Sequence, residues 1–113
     1  MTDAPLTDER LPTELIVAAK LRALQSRGIG CYVARRGAGQ SGSILLRSVM
    51  GKDASHLYVQ SLLDDGSRGW MRVSGDMPQD DEKARDYVAR SVKRDPDLWV
   101  VEVEDKGGKN LFE

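Results

Sequence analysis

The chain has 113 residues, of which 40% are hydrophobic and 31% are charged, a composition that suits one globular domain with a single core and excludes a disordered chain. Its 17 basic and 18 acidic residues leave a formal net charge of -1, which excludes a global attraction to nucleic acid or anionic lipid. Because apolar runs are short and the N-terminus is acidic, we expect a cytoplasmic protein without a membrane span or secretory leader.

The single cysteine, Cys31, and the single histidine, His56, limit the chemistry of the chain. One thiol cannot form an internal disulfide, and it cannot supply the clustered thiolates of a structural zinc site or an iron–sulfur cluster. Neither Cys31 nor a carboxylate stands at ligand-like spacing from His56. We therefore predict no metal site and no cofactor.

The hydrophobic pattern predicts a helix, four strands, a second helix and a fifth strand, in that order. Residues 1–11 lack a sustained period, which predicts a mobile N-terminal arm. The first helix is predicted over 13–27, where Pro12 stands at the start and Gly28 follows the end. Strongly β-favouring segments, separated by glycine-rich or aspartate-rich turns, predict the next four strands over 31–36, 43–49, 56–63 and 69–74.

Short loops join these four strands, which predicts an antiparallel meander whose first two strands form a hairpin. Residues 80–94 begin acidic and end basic, as the helix dipole favours, and predict the second helix. A final alternating strand is predicted over 98–104, and residues 106–113 are predicted to fray. Sequence leaves two placements open for this last strand, which can pair in parallel with strand four or cross the sheet to flank strand one.

These elements predict one α+β domain over residues 1–113, in the order α-β-β-β-β-α-β. Its sheet is expected to have five strands, mainly antiparallel, with the helices packed on it.

Four features of the sequence occur together: an amphipathic N-terminal helix, the Arg35-Arg36-Gly37 triplet, the Gly69-Trp70-Met71-Arg72 strand and the closing block DPDLWVVEVED at 95–105. Together they resemble a small bacterial family of unknown function found chiefly in alpha-class proteobacteria. The resemblance extends over about residues 13 to 113 and is most specific in the closing block. It implies a single-domain bacterial protein of the cytosol, and it supplies no catalytic residue.

The stretch from Arg35 to Gly42 is a candidate anion-binding loop, because glycines let backbone N–H groups converge while arginines supply charge. It is no P-loop, since no Gly-Lys-Ser/Thr closes it, and it is no dinucleotide fingerprint, since a strand follows it where a helix should begin. Arg47 and Arg72 can add charge from neighbouring strands. The candidate ligand-binding residues, for a small anion, a nucleotide or the less favoured single-stranded nucleic acid, are Arg35, Arg36, Gly37, Gly39, Arg47 and Arg72. A plain hairpin loop is the favoured interpretation of this stretch, and the anion site is its alternative.

No group of residues supplies a nucleophile, a base and an oxyanion donor together, which argues against an enzyme. The order of elements also resembles acetyltransferases that use acetyl-coenzyme A, but the turn at 75–81 is acidic where their pyrophosphate loop would lie. We therefore expect a noncatalytic interaction or regulatory module that uses a sheet face or edge to bind a protein partner or a second copy of itself. Trp70 and Trp99 are expected first as anchors of the core, and they are also the candidate interface residues, since a partly exposed tryptophan is a frequent interface hot spot.

Overall fold

The computed structural model describes residues 11–113, without the side chain of Leu62, so most of the predicted N-terminal arm lies outside the described residues. Its elements are α1 (Thr13–Ser26), β1 (Cys31–Arg35), β2 (Ile44–Gly51), β3 (Ala54–Leu62), β4 (Arg68–Arg72), α2 (Asp81–Arg94) and β5 (Trp99–Glu104). The predicted order of elements and the α+β class are confirmed. Neither α1 nor α2 is long and apolar enough to cross a membrane.

The five strands lie in the order β1-β5-β2-β3-β4, so β5 separates β1 from β2. It runs antiparallel to β1 and parallel to β2, while the other pairs are antiparallel. The predicted hairpin of the first two strands is therefore wrong, and only β2, β3 and β4 form a meander. Of the two placements left open for β5, the pairing with β4 is wrong and the pairing with β1 is correct.

Burial explains why β5 takes an interior position. Val100, Val101 and Val103 are 3%, 0% and 1% exposed, so this strand buries apolar side chains on both faces, although Glu102 and Glu104 occupy the end of one of them. β2 has the same character at Ile44 and Leu45, both fully buried. A strand with two apolar faces loses most by standing at an edge, and a helical crossover such as α2 allows its parallel pairing with β2.

The sheet has one apolar core on each face. On the face covered by α1, which we call the α1 face, strand side chains pack with Val17, Leu24 and Phe112; those strand residues are Ile44, Leu46, Trp99, Val101 and Val103. On the opposite face, the α2 face, the core consists of Leu45, Leu57, Ala84, Leu98 and Val100. Each large buried side chain contributes roughly 1.5 to 3 kcal/mol.

The segment after β5 packs on the α1 face instead of fraying. Phe112 is 3% exposed, and its ring meets Trp70 edge to face with 6.5 Å between centroids. Tyr58 Oη donates to the carbonyl of Gly108 at 2.6 Å. The predicted fraying of 106–113 is therefore wrong, because one aromatic side chain in a polar, glycine-containing stretch anchors the segment to β3 and β4.

We expect Phe112→Ala to lower the free energy of unfolding by about 3 kcal/mol, because it removes a buried aromatic ring and leaves a cavity beside Trp70. Urea unfolding followed by tryptophan fluorescence measures the change. Lys106→Ala, at an exposed position of the same segment, is the control and should change stability by less than about 0.5 kcal/mol. Equal stabilities of the two variants would contradict the anchoring role of Phe112.

Candidate functional site

The loop between β1 and β2 holds the chain that enters β5. Ala38 N donates to the carbonyl of Asp97 at 2.9 Å, and Trp99 Nε1 donates to the carbonyl of Ala38 at 2.7 Å. A Cβ at Gly37 or Gly42 would overlap the Asp97 carbonyl oxygen. These glycines therefore admit a close backbone crossing, which is one of the reasons a loop position requires glycine.

The same loop closes the N-terminus of α1. Pro12 precedes the helix and no side chain caps it, so the first N–H groups need other acceptors. Thr13 N donates to the carbonyl of Gln40 at 3.1 Å, and Glu14 N donates to the carbonyl of Gly39 at 2.9 Å. The loop thus turns carbonyl groups, which repel anions, towards the helix.

Arg35 and Arg36 are engaged within the fold. Arg35 donates to the carbonyl of Leu98 at 2.6 Å. The guanidinium of Arg36 lies 5.0 Å from the centre of the Trp99 ring and 3.4 Å from the carboxylate of Glu14. Both arginines therefore stabilise the junction of the loop, α1 and β5.

Arg47 belongs to a polar network on the α2 face. Its guanidinium lies 2.7 Å from Asp81 and 3.6 Å from Glu102, and its side chain is only 12% exposed. Its Nε also donates to Ser55 Oγ at 3.2 Å. Two carboxylates oppose this one cation, so Arg47 offers little charge to an anionic ligand.

The predicted ligand-binding residues do not form one site. Arg35, Arg36, Gly37 and Gly39 lie at the end of β1, whereas Arg72 lies on β4 at the other edge of the sheet. Arg47 lies on β2 between them. Arg47 and Arg72 therefore do not add their charge to the loop from neighbouring strands, because β5 lies between β1 and β2.

The two tryptophans have different positions. Trp99 is 1% exposed and lies in the core of the α1 face, so its predicted interface role is wrong. Trp70 is partly buried against the same core, with β4 carrying it at the edge of the sheet.

The titratable groups singled out by sequence lie apart. Cys31 is on β1, where burial raises the pKa of its thiol and Sγ contacts the carbonyl of Leu21 at 3.7 Å. Tyr32 donates to Glu102 at 2.9 Å, and this hydrogen bond, followed by burial, raises the pKa of Tyr32. Within residues 11–113, no three His, Cys, Asp or Glu side chains are placed to hold a metal ion.

A groove opens on the α2 face between α2 and the β3–β4 hairpin, and we call it the α2–β4 groove. Its volume is about 310 Å³. Its apolar wall consists of Val59, Met71, Val73, Tyr87 and Leu98, and its polar rim consists of Ser43, Ser61, Ser91, Arg94 and Asp95. Met71 on β4 is 67% exposed, so part of this apolar wall faces solvent.

The outer edge of β4 adjoins this groove. Val73 N donates to the carbonyl of Leu57 at 2.8 Å, and the register between β3 and β4 is regular. Because the backbone of an antiparallel strand points alternately to its two sides, Gly69 and Met71 bond to β3. The N–H and C=O groups of Arg68, Trp70 and Arg72 therefore point away from the sheet. No backbone group within residues 11–113 pairs with them.

The sequence predicts both elements beside the α2–β4 groove but not the groove itself. Which side of α2 faces β4 depends on the position of β5, which the sequence left open. The one signal that the sequence offers is the alternation of side chains in a short strand, which places Gly69 and Met71 on the same face.

Gly37→Ala tests the structural role of the loop. We expect it to destabilise the fold by about 2 kcal/mol, because the new Cβ displaces the Asp97 carbonyl. Gly39→Ala is the matched control, since its Cβ would meet only the flexible carboxylate of Glu14 at 2.8 Å, and it should cost less than about 1 kcal/mol. Thermal unfolding measures both, and equal effects would contradict the crossing.

His56 makes the stability depend on pH. Its side chain is 6% exposed, and its Nδ1 lies 2.6 Å from Ser74 Oγ, which also accepts from Leu57 N. Burial, and then the charge of Arg72, lower the pKa of His56 in the folded chain. Below its ordinary pKa of about 6.5 the unfolded chain gains a proton that the folded chain resists.

Wild-type stability should therefore be full above about pH 6.5 and decline below it, by at most about 1.4 kcal/mol per pH unit from this group. His56→Gln should remove that decline, since the chain has no other histidine. Urea unfolding at a series of pH values between about 5 and 8 compares the two slopes. Parallel slopes would contradict the assignment to His56.

The chain is similar to proteins of one bacterial family. The family model "Protein of unknown function (DUF1491)" matches residues 11–113. A crystal structure of a DUF1491 family protein from Caulobacter crescentus CB15 is 29% identical, with a TM-score of 0.75 over 90% of this chain and 92% of that chain. An NMR structure of a DUF1491 family protein from the same organism is 31% identical, with a TM-score of 0.76 over the same shares.

A solution structure of a protein from A. tumefaciens is 25% identical, with a TM-score of 0.70 over 85% of this chain and 86% of that chain. None of the curated proteins matches the chain. These similarities agree with the resemblance found in the closing block of the sequence. The chain therefore belongs to the DUF1491 family, whose function is unknown.

Proposed function

We propose that this protein is a noncatalytic interaction module that binds a segment of another protein as an added strand on β4. The observation that carries the proposal is the outward backbone of Arg68, Trp70 and Arg72. Hydrogen bonds between the main chain of an edge strand and an extended peptide give affinity, and pockets for alternate side chains of the peptide give specificity. The α2–β4 groove supplies such a pocket beside Met71.

β4 suits this role better than β1, the other edge strand. The pairing of β1 with β5 is irregular between Val33 and Arg35, and a bulge of this kind protects an edge from further pairing. β4 has a regular register over its five residues. Its exposed Met71 adds apolar surface on the side of the groove.

The partner is a different protein, because charge opposes pairing between two copies of β4. In the antiparallel register that pairs the whole strand, Trp70 would face its own equivalent and Arg68 would face Arg72. Like charges directly opposite each other destabilise a strand pair. We further propose that the binding takes place in the bacterial cytoplasm, as the origin of the related structures and the single, partly buried thiol of Cys31 suggest.

Arg72→Pro and Arg72→Ala form a matched pair for testing the edge. Both remove the guanidinium, but only proline also removes the outward N–H and blocks a neighbouring strand. We expect Arg72→Pro to capture about tenfold less of the proteins that Arg72→Ala captures from a lysate of the source organism, because only the proline variant lacks the outward N–H. Quantitative mass spectrometry of the captured proteins measures the loss.

Circular dichroism and urea unfolding must show that Arg72→Pro is folded, as expected for proline at an edge position that donates no hydrogen bond to β3. Capture of the same proteins by the proline and alanine variants would contradict strand addition. A wild type that captures nothing above background would contradict the proposal as well.

A further inference from the structure

We infer that the segment bound on β4 is acidic, with a carboxylate opposite Arg72 and an apolar side chain opposite Met71. This inference rests on the proposed strand addition and defines the chemistry of the partner. Three observations support it: the weak partner of Arg72, the cations along the end of α2, and the exposed apolar side chains of the β3–β4 hairpin.

Arg72 is the most available charge on the edge. Its side chain is 43% exposed, and its carboxylate partner, Asp76, is fully exposed at 3.7 Å. An ion pair of this kind contributes little to stability, so Arg72 can exchange it for a better partner at low cost. Arg68 on the same side is less available, because it donates to Thr13 Oγ1 at 3.1 Å and to the carbonyl of Leu11 at 3.3 Å.

The end of α2 adds positive charge beside the α2–β4 groove. Arg90, Lys93 and Arg94 line, together with Tyr87, a second cavity of about 330 Å³, and Tyr87 and Arg94 also line the groove. Asp95 is the one carboxylate that lines the groove itself. The formal charge of the whole chain is -1, so this excess of cations is local, and it steers acidic segments towards this side of the molecule.

The exposed apolar side chains of the β3–β4 hairpin determine which positions of the partner should be apolar. Met71 is 67% exposed and Leu63 is 48% exposed. The Leu63 side chain lies over Gly69, where a Cβ would meet it at 3.1 Å. Partner residues opposite Gly69 and Met71 therefore meet an apolar surface on the α2 face.

Residues opposite Arg72 and Trp70 project to the α1 face, because side chains alternate along a strand. Opposite Arg72, Met71, Trp70 and Gly69, in that order, the partner should thus carry an acidic residue, an apolar residue, any residue and a second apolar residue.

A display library of random peptides of about ten residues, long enough to form one strand, provides the probe. Selection on immobilised wild type, after removal of peptides that bind Arg72→Pro, should enrich the acidic–apolar–free–apolar pattern. Enriched peptides without acidic residues would overturn this inference and leave strand addition standing. A library in which nothing distinguishes wild type from Arg72→Pro would contradict strand addition itself.

The best selected peptide then allows a charge exchange. Fluorescence polarisation titrations should show binding to Arg72→Glu at least tenfold weaker than binding to Arg72→Ala, since glutamate repels the partner's carboxylate. Replacement of that carboxylate by lysine in the peptide should recover at least tenfold on Arg72→Glu. Affinity for wild type should fall between about 50 and about 300 mM salt, as it does for exposed charges. Equal binding by the alanine and glutamate variants would overturn the inference.

Discussion

The sheet depends on the close crossing of the Asp97 carbonyl over Gly37 and Gly42. Because neither position carries a Cβ, the chain can pass beneath the β1–β2 loop and enter the middle of the sheet as β5. Hydrogen bonds from Ala38 N and Trp99 Nε1 hold the crossing. The start of α1 depends on the same loop, whose carbonyls accept from Thr13 and Glu14. The loop that the sequence offers as a candidate anion-binding site therefore binds the protein's own chain.

Local patterns predicted the elements of this fold well, because each pattern is read within one segment. The acidic start and basic end of α2, and the glycine beyond α1, act over a single turn of helix. The position of β5 could not be predicted in this way. Its two apolar faces indicate an interior strand, but the crossing that puts it beside β1 requires contacts of Asp97 with a loop about sixty residues earlier.

The candidate site was less predictable than the fold, for a related reason. The loop arginines and Arg47 were expected on neighbouring strands of a β1–β2 hairpin, but β5 lies between those strands, and Arg72 stands at the far edge on β4. Arg47 was predicted as a free charge, whereas Asp81 and Glu102 oppose it from α2 and β5. Arg72 keeps an exposed position with a weak partner, whereas the more exposed Arg36 pairs with Glu14 and lies over the Trp99 ring. The choice of β4 as the proposed binding edge thus agrees with the position of Arg72, whose charge has only a weak partner in the fold.

The central position of β5 also has a consequence for biosynthesis. β2, β3 and β4 follow one another along the chain and can pair as soon as they leave the ribosome. β1 emerges before all of them, yet the strand with which it pairs is β5, which is translated after α2. Until then β1 and the open side of β2 remain unpaired, and pairing over such a sequence separation is slow. The nascent chain therefore exposes the unpaired edges of β1 and β2, which are prone to aggregate, until β5 has been translated. We expect this interval to be the stage at which the chain depends most on chaperones.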